Sequence, residues 1–495
     1  MSKQGLERLH ALRTSAGPSR TKGLDDATIE RFLARDDRFL AKAIDAAVKA
    51  RELLAPTHGE MFHMEESALC KLVQERLLNF YPGPGINPYV ALSGAGPWIV
   101  TTHGAVLHDS GGYGMLGVGH APETVMKAMS QPYVMANVMT PSFSQKRLTD
   151  RLVREIGHTG DSCPFEKFVC LNSGSEAVTF TIRVTDIHAR TMTEKGARHA
   201  GKKVIRLAVI EGFHGRTEGP ARMSHSTRKA YATHLASFRD SDTMVFLPFN
   251  DLKALREAFR KAEKDNAFIE AFFVEPVMGE GIPGLALSRE YYDEARKLTK
   301  SNGSLLIVDS IQAAIRAQGC LSLIDYPGFE NCEPPDMETY SKALNAGQFP
   351  LSVAALRKEV ADTYVTGLYG NTMTTNPRAM EVACAVLDGI TDDLRRNIRE
   401  RGREFVEKFE KLGREFPGAV EQVVGTGLMV AMMLDPKQYT VNGVGGFEEW
   451  LRMNGIEMIH GGENGLRFTP PFSITTEEID LIVEQVRRGM KALKK

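Results

Sequence analysis

The strongest constraint on the fold of this 495-residue chain is the alternation of apolar and amphipathic segments in its central part. Mostly apolar runs at residues 168–171, 204–210, 271–274, 305–308 and 351–355 have the length of single strands. Amphipathic stretches at 177–195 and 289–300 have the periodicity of helices and alternate with those runs. Strands that are apolar throughout are typical of a mostly parallel sheet covered by helices on both faces. The alternation therefore predicts a large α/β domain.

The length of the chain and the position of the alternation predict two domains. The large domain is expected over residues 111–378. Residues 379–495 are expected to form a smaller α+β domain. Residues 1–110 are expected to be an N-terminal segment that contributes to the small domain and to the mouth of the site.

Shorter patterns predict further elements in the terminal parts. Two charged amphipathic helices are expected at 27–40 and 41–54, and a hairpin around Gly104 is expected at 98–109. A long helical stretch follows at 378–416, and a closing helix is expected at 477–493.

Composition excludes several classes of function. The chain has 61 basic and 62 acidic residues, a net charge of −1, so no overall field attracts nucleic acid or an anionic membrane. Its apolar runs are far shorter than a bilayer span, and its polar N-terminus lacks the apolar core of a signal peptide. The six cysteines form no CxxC pair. We expect reduced thiols, no metal site and a cytoplasmic location.

Two local features are candidates for ligand binding. Ser173, Gly174 and Ser175 precede a predicted helix, whose first N–H groups can bind an anion such as a phosphate. Taken alone, the same residues also suit a simple helix cap. Asp309 ends an apolar strand, and open α/β sheets bind ligands at the carboxyl ends of their strands. An aspartate in this position can instead cap the following helix.

Two further features are candidates for chemistry. Lys342 lies between a mixed polar stretch and a glycine-containing turn that leads into an apolar strand. Phe213 and His214 lie in a loop that follows the apolar run at 204–210. Taken singly, a lysine is usually a solvated surface residue, and an aromatic residue in a loop usually serves local packing.

In their order along the chain, these features resemble the class III aminotransferases, which are fold-type I pyridoxal-phosphate enzymes. The resemblance runs from about Leu92 to the C-terminus, and no single motif carries it alone. The matching segments are Ser-Gly-Ser-Glu-Ala at 173–177, Phe-His-Gly-Arg at 213–216, Glu-Pro-Val-Met-Gly-Glu-Gly at 275–281, Asp309 with Gln312, Ser-Lys-Ala at 341–343, Asn-Thr-Met-Thr-Thr-Asn-Pro at 371–377 and Leu-Arg-Phe-Thr-Pro-Pro at 466–471.

Two segments depart from the family pattern. The family commonly has Asp-Glu-Val/Ile-Gln where this chain has Asp309-Ser310-Ile311-Gln312. The usual glycine- and arginine-rich continuation after the glutamine is here Ala313-Ala314-Ile315-Arg316-Ala317-Gln318-Gly319. The segment at 371–377, by contrast, is similar to the family's Ser-Thr-Phe-x-x-Asn-Pro. The residues expected to face the cofactor, Asp309 and Gln312, are retained, so the departures affect the expected substrate more than cofactor binding.

The resemblance implies a fold-type I enzyme whose cofactor, pyridoxal 5′-phosphate, forms an aldimine with Lys342. Once displaced by substrate, Lys342 would also carry the 1,3 proton. Asp309 would pair with the pyridinium nitrogen and keep it protonated. Gln312 would bind the phenolic oxygen, and Phe213 would stack on the ring.

The resemblance also implies a phosphate site that two subunits share. Gly174 and Ser175 would hold the phosphate together with Thr372 of the partner subunit. The remaining members of the expected cofactor-binding set are Ser173, His214 and Glu275. A shared site implies that the working form is a homodimer or a higher homo-oligomer.

The implied function is transfer of an amino group from an amino acid or amine to a 2-oxo acid, either 2-oxoglutarate or pyruvate, by a ping-pong mechanism. Arg467 would bind the substrate carboxylate, although its local context alone favours an exposed charge at a strand edge. Glu280 would cover Arg467 when a substrate without an α-carboxylate is bound. The alternatives are a racemase, an aminomutase or a decarboxylase of the same fold, or an inactive homologue with a binding role.

One competing motif points to a different cofactor. Residues 112–117 match the dinucleotide-binding pattern GxGxxG. The predicted helix begins only after Pro122, and no ribose-binding acid follows at the expected distance. The pattern therefore does not predict a dinucleotide site.

Overall fold

The computed structural model describes residues 2–35, 38–81, 85–111, 114–135, 139–160, 162–238 and 243–494. The chain forms two compact units. The large unit contains residues 124–402 and 424–429. The small unit contains residues 1–123, 403–423 and 430–495. The sequence-based division into domains at residues 110 and 378 concerns independent folding, and it stays a prediction.

The elements of the N-terminal region are helices followed by short strands. The helices are α1 Ser2–Thr14, α2 Asp26–Ala34, α3 Arg38–His58, α4 Glu66–Gln74 and α5 Glu123–Met129. The strands are β1 Ala91–Ala95, β2 Trp98–Thr101 and β3 Val106–Asp109.

The large unit alternates strands and helices, as the sequence predicts. Its strands are β4 Lys167–Leu171, β5 Lys203–Val209, β6 Met244–Leu247, β7 Ala267–Val274, β8 Leu305–Asp309, β9 Met337–Tyr340 and β10 Ser352–Leu356. Its helices are α6 Phe143–Glu155, α7 Gly174–Thr193, α8 Glu218–Met223, α9 Arg228–His234, α10 Leu252–Lys264, α11 Arg289–Asn302, α12 Lys358–Ala361 and α13 Pro377–Asp388.

The C-terminal region begins with α14 Asp392–Glu415, whose first half belongs to the large unit. The remaining elements are strands β11 Val420–Thr426, β12 Met429–Leu434, β13 Ile456–Glu457, β14 Ile459–Gly461 and β15 Gly465–Phe468, and helices α15 Phe447–Met453 and α16 Thr476–Ala492.

The seven strands of the large unit form one sheet in the order β4-β10-β9-β8-β7-β5-β6. Strand β10 is antiparallel to its neighbours β4 and β9. The pairs from β9 to β6 are parallel, so these strands end at the same edge of the sheet. The predicted fold class, a mostly parallel sheet of the fold-type I kind covered by helices, is confirmed.

The sheet has an apolar core on each face because successive side chains of a strand point to opposite sides. Leu306 and Val308 of β8 belong to one buried cluster, and Leu305 and Ile307 belong to the other. Neighbouring strand β7 alternates in the same way. This double burial explains why the central strands are apolar throughout.

Two four-stranded sheets, in the orders β1-β2-β3-β13 and β11-β12-β15-β14, belong mostly to the small unit. The exceptions are residues 424–426 of β11 and Met429 of β12, which are part of the large unit. Strands β2 and β3 pair antiparallel, which confirms the predicted hairpin at 98–109. The N-terminal segment is fixed by the buried carboxylate of Glu66, whose Oε2 accepts hydrogen bonds from the backbone N–H groups of Arg20 and Thr21. In the described ranges, no helix is both long and apolar enough to cross a membrane.

Two predicted helix boundaries are wrong. The stretch predicted as one helix at 378–416 is two helices, because α13 ends at Gly389 and α14 starts a new first turn with Asp392 and Asp393. The helix predicted at 27–40 ends earlier, with Arg35 as its C-cap, and α3 begins at Arg38.

The sequence pattern also missed strand β9, whose residues Met-Glu-Thr-Tyr are buried although two of them are polar. Glu338 of β9 is fully buried, and its carboxyl group accepts hydrogen bonds from Ser310 Oγ, Ser322 Oγ and the backbone N–H of Leu323. Burial raises the pKa of Glu338 to about 7, against the opposing effect of these hydrogen bonds.

The buried carboxyl group makes stability depend on pH. The native state holds the Glu338 proton more tightly than the unfolded chain, so its contribution to the free energy of unfolding is lost as pH rises from about 4.5 to about 7. Glu338→Gln keeps the shape and removes the titration. The wild-type minus variant difference in unfolding free energy should fall by roughly 3 kcal/mol across this window and then stay constant.

Urea unfolding at fixed pH values measures this difference. Far-ultraviolet circular dichroism is the suitable signal, because the two tryptophans, Trp98 and Trp450, both lie in the small unit. A difference that is the same at pH 5 and pH 8 would show that Glu338 does not take up a proton on folding.

Candidate active site

Asp309 is the last residue of β8 and lies at the edge where the parallel strands end. Its side chain is buried, with 3% of the residue exposed. Thr339 Oγ1 donates to Asp309 Oδ1 at 2.9 Å, and His214 Nδ1 lies 2.8 Å from Asp309 Oδ2. A buried carboxylate is stable only when such donors replace water. Asp309 therefore has a fixed position and orientation.

The fold explains why these three side chains meet. Asp309 and Thr339 are partners in the parallel pairing of β8 and β9, so their side chains lie side by side on one face. His214 lies in the loop after β5, and its backbone N–H donates to Ser224 Oγ at 2.9 Å. At Gly215 the loop has a φ of +123°, and a Cβ there would lie only 2.4 Å from Ser175 Oγ. Glycine is therefore required at this position.

Two buried nitrogens near this carboxylate indicate room for a polar ligand. Because His214 uses Nδ1 as the donor to Asp309, its Nε2 is the acceptor in the neutral ring. His214 Nε2 and Gln312 Nε2 are both buried, and neither has a hydrogen-bond partner within the described part of the chain. Buried polar groups rarely stay unsatisfied. The ligand predicted for Gln312 is the phenolic oxygen of the cofactor. This oxygen is a hydrogen-bond acceptor and would satisfy Gln312 Nε2.

Glu275 follows β7 directly and joins two loops of the site. Its Oε2 accepts from the backbone N–H of Phe213 at 3.0 Å, and its Oε1 accepts from that of Gly279 at 3.1 Å. Burial, and next the nearby Asp309, raise the pKa of Glu275 well above its usual range, while the two N–H groups oppose the rise. The half-buried Glu280 follows Gly279 and adds to this rise, so it lies close to Glu275.

Phe213 is half-buried in the loop that Glu275 holds. The guanidinium of Arg216 lies 5.3 Å from the centre of its ring. Glu275 thus holds the backbone of Phe213, and Arg216 contacts its ring. The predicted role of this ring, stacking on a cofactor, stays a prediction.

Lys342 follows β9 and begins a single turn of 3₁₀ helix, Lys342–Leu344. Its φ is +40°, in the left-handed region that residues other than glycine rarely adopt. Ser341 Oγ and Asn345 Nδ2 both donate to the carbonyl of Leu351, at 2.7 and 2.8 Å, and hold the turn in place. Non-glycine residues with positive φ persist where the surroundings fix them, often at functional sites. Because β9 is parallel to β8, Lys342 lies just beyond the same edge of the sheet as Asp309, in the turn that follows the adjacent strand.

The predicted phosphate loop forms the N-terminus of α7. Ser173 is its N-cap, and Ser173 and Glu176 form a capping box. Ser175 Oγ accepts hydrogen bonds from the backbone N–H groups of Arg216 and Thr217, at 3.1 and 3.0 Å. Both serine hydroxyls are thus bound by the protein itself. The N-terminal N–H groups of the helix, which have no partner within it, are the groups suited to an anion.

Gly174 lies against Ile311, two residues from Asp309. A Cβ on Gly174 would lie 2.8 Å from Ile311 Cδ1. This close approach brings the N-terminus of α7 next to the segment that follows β8. The structure therefore brings the candidate phosphate loop, Asp309 and Gln312 into one region of the large unit.

Thr372 is exposed in the loop before α13. The preceding residue, Asn371, donates from Nδ2 to Glu176 Oε1 at 2.6 Å. The loop is therefore in contact with the N-terminal turn of α7 in the same chain. The predicted role of Thr372 in a partner subunit stays a prediction.

Arg467 lies in the small unit, on β15 between β12 and β14. It is 3% exposed, so the interpretation of an exposed charge at a strand edge is wrong. Arg316, another buried arginine, is in the large unit and donates to the carbonyl of Leu428 at 3.2 Å. The GxGxxG pattern cannot be located in full, because Gly112 and Tyr113 lie outside the described residues.

Comparison with known proteins places this site in a family. A profile described as aminotransferase class-III matches residues 84–490. The chain belongs to the class III aminotransferase family. It is thus an aminotransferase of the pyridoxal-phosphate-dependent kind.

Individual relatives agree with this family. Ornithine aminotransferase of Staphylococcus carnosus is 28% identical over 408 residues, which cover 81% of this chain and 94% of that protein. Acetylornithine aminotransferase of Prochlorococcus marinus is 26% identical over 408 residues, covering 79% of this chain and 89% of that protein. The crystal structure of ornithine aminotransferase from Toxoplasma gondii has a TM-score of 0.74 at 22% identity and covers 88% and 98% of the two chains. This last likeness concerns the fold.

The residues present in this class III aminotransferase fit the family's cofactor. The unsatisfied Gln312 Nε2 offers a donor, the fixed Asp309 carboxylate offers an acceptor for a ring N–H, and the N-terminus of α7 suits a phosphate. Sequence reasoning missed Thr339, which holds Asp309 from the neighbouring strand. The only sequence signal for Thr339 was its position three residues before Lys342. That position does not indicate a contact with Asp309 until the pairing of β8 and β9 is known.

Proposed function

We propose that this chain binds pyridoxal 5′-phosphate at the carboxyl ends of β8 and β9 and transfers a terminal amino group to a 2-oxo acid. The observation that carries the proposal is the buried Asp309, oriented by His214 and Thr339, with Lys342 in the turn that follows the adjacent strand. A fixed carboxylate next to a lysine in a strained turn is the arrangement that this chemistry requires.

Each group of residues has a separate task in the proposal. Lys342 Nζ would hold the cofactor covalently, and Asp309 would keep a proton on its ring nitrogen. Gln312 would donate to its phenolic oxygen, and Phe213 would stack on its ring. The N–H groups at Gly174 and Ser175 would bind its phosphate.

When bound, pyridoxal phosphate supplies an electron sink for the charge left on the substrate carbon after a proton is removed. Lys342 Nζ is the group suited to move that proton, because an amine can accept and return a proton and Lys342 follows the strand that pairs with the strand of Asp309. The burial of Asp309 and His214 keeps water from competing for the proton held at the ring nitrogen. Glu275 keeps Phe213 in place through the backbone.

The names of the relatives suggest the amino donor. Ornithine and acetylornithine share one free amine, the terminal amine of the side chain, because acetylation blocks the α-amine of the second compound. We therefore propose a donor with a terminal primary amine on an alkyl chain that also carries a carboxylate. The two departures from the family pattern, at Ser310 and at residues 313–319, leave the choice among such donors to experiment.

We propose Arg467 as the group that binds the carboxylate of the 2-oxo acid, 2-oxoglutarate or pyruvate. The support is its burial on the middle of three paired strands, where a guanidinium is stable only with anionic or carbonyl partners. Glu280, half-buried next to Gly279, is proposed as the acid that covers Arg467 when the substrate lacks an α-carboxylate.

We propose a homodimer, or a higher homo-oligomer, as the working form. Large apolar side chains are exposed between α5 and α6, including Val134 and Met139, and Phe143 of α6 is 89% exposed. Met373, next to the candidate phosphate ligand Thr372, is 62% exposed. Exposed apolar side chains of this kind often mark contacts between subunits. The six free cysteines suit the proposed cytoplasmic location.

A half-reaction screen tests the proposed function. The purified holoenzyme is mixed with ornithine, acetylornithine or other terminal amines without oxo acid, and the visible band of the bound aldehyde is followed. A true donor should convert the cofactor to its amine form, and 2-oxoglutarate or pyruvate should restore the aldehyde form.

The variant Lys342→Ala should still bind the cofactor, but its turnover should be lower by orders of magnitude. The covalent attachment of the cofactor and the transfer of the proton, both proposed for Lys342, would be lost together.

The same assay excludes the alternatives. A racemase would invert the donor and leave the cofactor band unchanged, and a decarboxylase would release carbon dioxide without needing an oxo acid. If no amine converts the cofactor in the presence of an intact band, amino transfer is not the reaction of this chain.

Arg467→Ala tests the proposed carboxylate site. Loss of a buried charge-assisted pair costs about 2–5 kcal/mol. The Michaelis constant for the oxo acid should accordingly rise by about two orders of magnitude or more. The matched control is Arg256→Ala, because Arg256 is half-exposed and forms a surface ion pair with Glu294. Unchanged kinetics of Arg467→Ala with both oxo acids would remove Arg467 from the site.

A further inference from the structure

Asn371 occupies a position where the family segment has serine, and its longer side chain makes two contacts. Its Nδ2 donates to Glu176 Oε1 at 2.6 Å. Its Oδ1 accepts from the backbone N–H of Met373 at 2.8 Å. The amide of Asn371 therefore joins helix α7 to the tip of the loop that contains Thr372.

Glu176, which accepts the hydrogen bond from Asn371, is part of the candidate phosphate site. The second oxygen of Glu176, Oε2, accepts from the backbone N–H groups of Asn172 and Ser173 at 3.0 and 2.9 Å. One carboxylate thus fixes the turn that begins α7 and also holds Asn371. Hydrogen bonds to an ionised carboxylate are stronger than those between neutral groups. The link between the loop and the helix is therefore a firm one.

Further contacts hold the rest of the loop against α7. The rings of Tyr364 and Tyr369 lie 5.4 and 6.0 Å from the ring of Phe180, which is a buried residue of α7. At the other end, Asn376 caps α13 by accepting from the backbone N–H of Arg378 at 3.0 Å. The loop is fixed on both sides of an exposed tip.

The tip contains the residue that the family resemblance assigns to the phosphate of a partner subunit. Thr372 and Met373 are both exposed, although Asn371 before them and Thr374 after them are half-buried and buried. A tip held in this way can present the Thr372 hydroxyl to another chain with little loss of conformational freedom on binding.

We propose that Asn371 is a positioning residue that fixes Thr372 for the phosphate site of a partner subunit. The proposal rests on the proposed function, in which two subunits share that site. The Asn371–Glu176 hydrogen bond then connects the phosphate helix of one chain to the phosphate ligand that the same chain supplies to the other. A serine at 371 is one bond shorter and has no amide, so it cannot make both contacts of Asn371.

The proposal has a directional consequence. Loss of the Asn371 amide releases the loop tip, which serves the partner's site. The helix turn of the same chain keeps its capping box, because Glu176 Oε2 and the N–H groups that it accepts from are untouched. The loss of cofactor affinity should therefore occur in the partner's site and not in the chain that carries the substitution.

Two hybrid dimers of identical composition test this direction. The first pairs a wild-type chain with a chain that carries Lys342→Ala and Asn371→Ala together. The second pairs a chain that carries only Asn371→Ala with a chain that carries only Lys342→Ala. In each hybrid one site retains Lys342, so the visible band of covalently bound pyridoxal 5′-phosphate reports on that site alone. Differential affinity tags allow each hybrid to be purified.

In the first hybrid the reporting site receives Thr372 from the altered loop, and its dissociation constant for pyridoxal 5′-phosphate should rise about tenfold or more. In the second hybrid the loop comes from a chain with Asn371, and the affinity should equal that of a hybrid with Lys342→Ala alone. Pyridoxal, which lacks the phosphate, should bind equally to both hybrids. Asn371→Ser should behave as Asn371→Ala.

The outcomes separate this proposal from a structural role and from the proposed function. Three results would overturn the role of Asn371. The second hybrid could bind pyridoxal 5′-phosphate more weakly than the first, the two hybrids could bind it equally, or the first hybrid could lose as much affinity for pyridoxal as for pyridoxal 5′-phosphate. A monomeric enzyme with normal turnover would overturn it as well and leave amino transfer intact. If the enzyme transfers no amino group but binds the cofactor, the two hybrids still decide the role of Asn371.

Discussion

The site depends on one interaction, the burial of the Asp309 carboxylate between Thr339 and His214. A carboxylate that is taken out of water needs donors in fixed positions, and here one comes from the adjacent strand and one from the loop after β5. These donors can meet only if β8 and β9 pair in parallel with Asp309 opposite Thr339. The register of the sheet and the geometry of the site are therefore set together.

Two other buried acids, Glu275 and Glu338, are also surrounded by hydrogen-bond donors from other segments of the chain. Glu275, at the end of β7, holds the loops of Phe213 and Gly279 by their backbone N–H groups. Glu338, on β9 next to Thr339, binds Ser310 and Ser322. Each buried carboxyl group is satisfied by donors from a different segment. The loops at the carboxyl ends of β5, β7 and β8 are thus connected, to one another and to strand β9, through side chains as well as through the sheet.

The sequence carried enough information for the fold class and for Asp309 and Lys342. Apolar runs of strand length identified most of the sheet, and Asp309 was recognisable because it ends such a run. Strand β9 was missed because Glu338 and Thr339 interrupt the apolar pattern. Their burial is possible only through partners that lie far apart in the sequence, so a local pattern cannot reveal it.

Arg467 and Asn371 show the same limit. The local context of Arg467 favoured an exposed charge, but β15 has paired strands on both sides, and one of them, β12, lies more than 30 positions earlier in the sequence. Asn371 stands where the family segment has serine, and the local pattern gave it no separate role. Its contact with Glu176 spans 195 positions, so no local pattern indicates a link between the two candidate phosphate-binding segments.

The most direct test of this account is Asp309→Asn. The amide is close in shape, but it cannot keep a proton on the cofactor's ring nitrogen, whereas the phosphate contacts remain. Turnover should fall by about 100-fold or more while the dissociation constant for pyridoxal 5′-phosphate changes far less. Asp388→Asn, at an ion pair with Arg151 in the same unit, is the matched control. Near-normal turnover of Asp309→Asn would contradict the account, because the buried carboxylate would then be a structural group only.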